Sequence, residues 1–153
     1  MTGDLRILPR INKAIIVQPR LRGLTYNTCV INFEGIFYMA REDALRDKIL
    51  KLGSKKKLAP ILKYLDNPSD DVRMAVAMAL GMIPTYDSGM GLIELLRDPS
   101  PIVRATAINS ASEIHAKNCE EYIRKLAFAD PDPNAREVAK RAFEKLKDNV
   151  ITY

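Results

Sequence analysis

The chain holds a single histidine and two cysteines, so its stock of imidazole and thiol chemistry is small. His115 and Cys119 stand four residues apart, the spacing at which two side chains share a helical face and could act as base and nucleophile or as two metal ligands. Between them, Lys117-Asn118 reads as the end of one helix and the cap of the next, which parts the pair. Cys29 is far upstream of Cys119 and adds no metal-type spacing. The acidic pairs Asp70-Asp71 and Glu120-Glu121 fall at expected helix starts, where the positive end of the helix dipole accounts for them. No glycine-rich loop is present to cradle phosphate. The residues therefore predict a protein that is not an enzyme, with no cofactor and no metal.

A different chemistry is carried by cations. Arg73, Arg104 and Arg136 recur at spacings of 31 and 32 residues. Separately, residues 1–57 carry 12 Lys or Arg against 5 Asp or Glu, while the rest of the chain is slightly acidic, so the net charge of +5 belongs to the N-terminal third. Arg6, Arg10, Lys13, Arg20 and Arg22 with Lys55, Lys56 and Lys57 form the candidate surface for a polyanion such as nucleic acid. Phe33, Phe37 and Tyr38 are candidates for a stacking platform beside it. Hydrophobic residues at 47% and charged residues at 28% match globular usage and exclude wholesale disorder. The start of the chain breaks its apolar segments with Arg10, Lys13 and proline, and no apolar run reaches membrane-spanning length. With the cysteines expected as free thiols, the expectation is a soluble cytoplasmic protein without a membrane partner.

The elements that position the three arginines repeat with them. Each arginine lies six residues after Asn67, Asp98 or Asp130, and each of those is followed by proline. Proline withholds a backbone donor and turns the preceding residue away from helix, so a first helix must stop near Leu65, Leu96 or Ala129. Ser100-Pro101 and Asp132-Pro133 place a capping residue before a proline at the first helical position, and Ser69-Asp70 puts an acid there instead. Apolar helical patterns precede the turns ("LAPILKYL", "MGLIELL", "YIRKLAF"), and patterns with small residues follow them, among them Ala79, Ala107, Ser110, Ala139 and Ala142. One such hairpin cannot bury its apolar face alone; three in a row can.

Over about residues 55–148 this pattern resembles the HEAT-repeat superfamily, in particular the short HEAT-like repeats of phycobilisome lyases. "LKYLDNPSDDVRMAVAMALG" matches those units nearly throughout, "LIELLRDPSPIVRATAINSA" keeps the turn and the Val-Arg, and "RKLAFADPDPNAREVAKRAF" departs by Ala135 and Glu144. The resemblance implies a ladder in which arginine meets the turn aspartate of a neighbouring unit. It also brings two enzyme types into view, neither supported by the residues. The HEAT-type hydroxylases bind iron through His-Glu dipeptides, which are absent here, and the HEAT-like glycosylases use aromatic residues over a basic face, whereas this repeat segment is acidic and has no tryptophan.

Upstream of residue 40 the pattern changes. "KAIIV", "TCVINF" and "IFYMA" are rich in β-branched and aromatic residues, with Glu34-Gly35 where a two-residue hairpin turn would sit and Arg22-Gly23 at an earlier turn. "REDALRDKILKLG" then reads as an amphipathic helix with Ala44, Leu45, Ile49 and Leu52 on one side. The predicted protein is mainly α: an α-solenoid of three HEAT-like helical hairpins with a small N-terminal antiparallel β-rich cap. Residues 1–54 form the cap with its helix and 55–153 the repeat domain. Its expected role is a scaffold or adaptor that binds another protein or peptide on the concave face of the second helices, through Met74, Met78, Asn109, Lys140 and Arg141. The alternatives are a nucleic-acid binder using the basic third and an accessory subunit of a bilin-lyase-like enzyme. Exposed solenoid ends also permit self-association.

Overall fold

The structure is a computed structural model and describes residues 33–148. Among the described residues seven α-helices follow one another: α1 (Phe33–Ser54), α2 (Leu58–Leu62), α3 (Asp70–Leu80), α4 (Tyr86–Leu95), α5 (Pro101–Glu113), α6 (Glu120–Ala129) and α7 (Pro133–Asp148), with a 3-10 turn at Lys117–Cys119 leading into α6. Residues Met1–Arg41 and Glu42–Tyr153 fall into two separate compact units.

The expected β-rich cap is corrected by α1. Glu34-Gly35 and the whole of "IFYMA" lie inside this helix, and no strand occurs among the described residues. "KAIIV", Arg22-Gly23, Cys29 and most of "TCVINF" lie outside the described residues. Strand propensity is a preference for a half-buried pleated surface, readily overridden by context. Here the strong helix formers of "MAREDALRDKILKL" carry the helix upstream through the aromatic run, since extending a formed helix costs far less than nucleating one. Glu-Gly also lacks the Asn or Asp that a tight hairpin turn favours at its first central position.

From Glu42 onward the helices form three hairpins, α2/α3, α4/α5 and α6/α7, whose second helices lie side by side: α3 packs on α5 and α5 on α7. Small residues make this closeness possible. A Cβ at Gly81, after α3, would come 2.8 Å from the Ser110 Cβ of α5. On the other side of α3, a Cβ at Gly53 of α1 would come 2.9 Å from the Ala79 Cα. The core is a continuous row from Ile49 through Ile61, Leu80, Leu92, Leu96, Ile108 and Ile123 to Leu146, all fully or almost fully buried. In α1, Ile49 is buried, Leu45 and Leu52 are partly so, and Ala44 is exposed. Pro60 falls in the first turn of α2, where backbone amides have no helical acceptor to lose.

Each turn is organised by its Asn or Asp. The side-chain oxygens of Asn67, Asp98 and Asp130 accept the backbone N–H two residues on, at 3.0, 2.8 and 2.8 Å. This Asx-turn then receives the arginine. The Arg104 guanidinium donates from Nη1 to the carbonyls of Asp98 and Pro99 in its own turn, at 2.8 and 3.1 Å. Its Nε and Nη2 form a two-pronged pair with Asp130 of the next turn, at 2.8 and 2.7 Å. Arg73 does the same one unit earlier: Nη1 binds the carbonyls of Asn67 and Pro68, Nε and Nη2 bind Asp98 at 2.7 and 3.1 Å, and Nη2 also meets Asp70. Arg73 and Arg104 are therefore structural ties between consecutive turns. Ser69 and Ser100 stand at the cap positions without side-chain cap bonds, because the Asx oxygen takes that place in organising the turn. Asp132 does cap α7, accepting the Ala135 N–H at 2.8 Å.

Two helices stop by backbone geometry. Lys56 and His115 adopt left-handed conformations with φ 54° and 51°. The Lys57 N–H bonds the Leu52 carbonyl and the Lys56 N–H the Gly53 carbonyl; the Ala116 N–H bonds the Ala111 carbonyl and the His115 N–H the Ser112 carbonyl. This doubled pattern is the Schellman closure, usually made with glycine.

Removing one member of a buried pair leaves the other charge without compensation, whereas an outer arginine leaves little behind. Arg104→Ala is expected to cost about 3 to 5 kcal/mol and Arg136→Ala about 1 kcal/mol, read from urea denaturation midpoints; equal losses would contradict the tie. The Arg104 guanidinium holds the Asp130 carboxyl below its ordinary range. A lowered folded value stabilises above the unfolded value of about 3.9 and is lost as pH falls through the folded one. Between pH 6 and 2, wild type should lose more urea resistance than Asp130→Asn, whose stability is lower at pH 6 but flatter in acid. Lys56→Gly relieves a left-handed strain and should raise stability by about 1 kcal/mol in the same assay.

Candidate functional site

The arginines set the register of the second helices, because the residue at a fixed distance from each occupies the same place in each unit. Arg73 reaches the following turn and Gly81, eight residues on, touches α5 of the following unit. The stripe at zero, four and eight from each arginine therefore faces the next unit. It reads Arg73, Ala77, Gly81 in α3 and beyond; Arg104, Ile108, Ser112 in α5; Arg136, Lys140, Glu144 in α7. Ala77 and Ile108 are fully buried, whereas Lys140 and Glu144 are exposed.

One step round the helix the side chains look outward from the layer. Five residues after the arginines come Met78, Asn109 and Arg141, all exposed. Met74 is half-buried against the core, while Met78 and Met82 are both 43% exposed. Residues four apart advance by 400° on a helix, so a row at that spacing drifts by about 40° per step and leaves the core as it climbs. Of the five side chains expected at a partner surface, Met78, Asn109 and Arg141 thus share one register. Met74 sits at its inner edge, and Lys140 lies on the stripe facing away from the second unit.

Several exposed apolar groups were missed by sequence reasoning. Ile102 in α5 is 65% exposed, at the position where the other units carry Asp71 and Asn134. Comparing the three units column by column would have exposed it. Met90 in α4 and Tyr86 at its start are also exposed, and "PTYDSGMG" is helical from Tyr86, with the Thr85 hydroxyl accepting the Ser88 N–H at 3.3 Å. Phe128 in α6 is exposed too, yet its column holds Leu65 and Leu96, so its type gives no signal.

On the other layer, the second and third units meet through the 3-10 turn. The buried Cys119 Sγ donates to the Gly89 carbonyl at 3.3 Å, and Asn118 Nδ2 donates to the Tyr86 carbonyl at 3.3 Å. Gly89 is required there, since a Cβ would lie 2.3 Å from the Asn118 Oδ1. Burial pushes the Cys119 thiol up to about 12, so it stays protonated at neutral pH. His115 is exposed, so the four-residue spacing does not bring the two to one surface. Arg97 Nη2 donates to the Tyr122 hydroxyl at 3.0 Å, joining α6 to the end of α4. Among the described residues, no group of three or more His, Cys, Asp or Glu could hold a metal ion. Nor is any described helix long and apolar enough to cross a membrane.

Of the candidate polyanion surface, Arg6, Arg10, Lys13, Arg20 and Arg22 lie outside the described residues. Lys55, Lys56 and Lys57 are exposed in the turn that closes α1. Lys48 and Lys51, not singled out from the sequence, join Lys55 along a shallow groove that also includes Ala44 and Leu52. Their i, i+3, i+7 spacing was the available signal.

A family model described as HEAT repeats matches residues 89–151, which take in most of α4 and run past the end of α7. No curated protein matches the chain. The paired helices, their lateral stacking and the arginine ties extend the same construction back to α2. Residues 89–151 are thus similar to HEAT repeats, and that stretch is where the family resemblance is carried.

Proposed function

We propose that the chain is a non-catalytic adaptor that holds another protein or peptide on the outward face of its second helices, through Met78, Asn109 and Arg141 with Met74 at the inner edge of that face. One observation carries the reading: a rigid, close-packed layer presents large apolar side chains to solvent, Met78 and Met82 from α3 and its end and Ile102 from α5. Methionine adapts its shape to varied apolar partners, and exposed apolar groups on an ordered scaffold mark contact surfaces. Across the units this face changes from methionine through Asn109 to Arg141, so a partner segment with an apolar end and an acidic end fits it in one direction.

A second reading is favoured by the groove lined by Lys48, Lys51 and Lys55 beside Asp47, whose net positive charge suits a polyanion. One comparison separates the two. Partners captured quantitatively by the wild-type chain should bind the Met78→Glu/Arg141→Glu double variant at least about tenfold less, a loss of roughly 1.4 kcal/mol, with the helical circular dichroism unchanged. If every partner stays bound, the adaptor face is wrong. Retention on a phosphate-bearing column that falls steeply with salt and is lost in Lys48→Ala/Lys51→Ala/Lys55→Ala supports the polyanion reading instead.

A further inference from the structure

Arg73 and Arg104 are each half-held by their own turn and half by the next. Arg136 repeats only the first half. Its Nη1 donates to the Asp130 carbonyl at 2.6 Å and the Pro131 carbonyl at 3.3 Å, the same two positions that hold Arg104 and Arg73. Among the described residues no hydrogen-bond acceptor lies on its Nε and Nη2 edge, which in the two earlier units carries an aspartate. A guanidinium fixed at one corner, with its forked edge open, is pre-organised for a carboxylate.

Phe128 adds a second and independent sign at this end. It occupies the column of Leu96, which is 1% exposed, yet Phe128 is 78% exposed. Unlike Leu96, Phe128 has no following unit beside it among the described residues. Lys140 and Glu144 stand where inner units have Ala77 or Ile108 and Gly81 or Ser112, so the end is wettable when unoccupied.

We infer that this end of the stack receives the Asp-Pro turn of a helical hairpin from a different protein, with its aspartate on Nε and Nη2 of Arg136 and an apolar side chain on Phe128. What fits the fork is shown twice in the chain itself, where Asp98 and Asp130 occupy it. A second copy is a poor source. Its first turn carries Asn67 in place of aspartate, and its Asp98 and Asp130 are buried in ion pairs of their own. This surface is separate from Met78, Asn109 and Arg141, so either proposal can fail without the other.

The test uses the full chain with nitrogen-15 arginine and a capped peptide of the sequence Leu-Leu-Arg-Asp-Pro-Ser, that of residues 95–100. The Nε–Hε resonance of Arg136, assigned by its loss in Arg136→Lys, should shift saturably, while those of Arg73 and Arg104 stay put. The same peptide with Asn in place of Asp should bind about fivefold more weakly, the loss of a charge-assisted bond worth roughly 1 kcal/mol over a neutral one. Phe128→Ala, which removes an exposed side chain and leaves the fold intact by circular dichroism, should weaken binding further. An unmoved Arg136 resonance, or equal response to both peptides, overturns the proposal. A shift that follows protein concentration alone, with no peptide, also overturns it and gives the site to a second copy.

Discussion

The forked contact between an arginine and the aspartate of the next turn joins two levels of the structure in one group. The guanidinium of Arg104 binds carbonyls in the turn it belongs to and a carboxylate in the turn that follows, so a local loop and a long-range neighbour share one planar side chain. Such a pair contributes little net stability over an apolar replacement, since two charges must leave water to form it. Its contribution is positional. With the planes of successive turns tied, α3, α5 and α7 are held in one register, and side chains at equal distance from the arginines point the same way. The outward row of Met78, Asn109 and Arg141 depends on that registration.

The ladder's two ends are chemically different from its middle. At the first turn no earlier arginine arrives from among the described residues, and the residue is Asn67, which organises the turn without placing an unpaired buried charge. At the last, Arg136 has its carbonyl partners but lacks the following carboxylate among the described residues, and the stripe beyond it turns to lysine and glutamate. A stack face that no further unit covers must be wettable, and at this end of the described residues two substitutions in one stripe, Lys140 and Glu144, supply the change.

The repeated part was legible because its signals are chemical and local. Proline, Asx and arginine at fixed offsets define the turn whatever surrounds it, and α4 and α6 stop at Leu95 and Ala129, at or beside the residues expected to end them. Direction was less legible. Lys140 and Arg141 are consecutive and similar, yet one faces the end of the stack and the other the outer layer; only the packing of α5 on α7 decides which. The N-terminal aromatic run misled because strand preference is settled by neighbours, and α1 offered a helix to extend. "PTYDSGMG" carries a proline and two glycines, residues usual in loops, yet is helical from Tyr86. In the helix, Gly89 and Gly91 instead make room, for Asn118 in one case and for Leu62 and Leu80 in the other.

The two layers of helices are joined unequally. The second helices touch one another directly along their length, while α4 reaches the third unit through a three-residue 3-10 turn, a cysteine thiol and an amide. Bending this stack apart along the second helices means breaking buried ion pairs and interlocked small residues, whereas parting the first helices breaks two weak hydrogen bonds, one contact of Arg97 and the packing of Leu62 against Gly91. From α2 to α7 the stack thus has one stiff edge and one compliant edge. Force applied across it is absorbed by fanning of the first helices, and the surface made by the second helices keeps its spacing while the molecule yields.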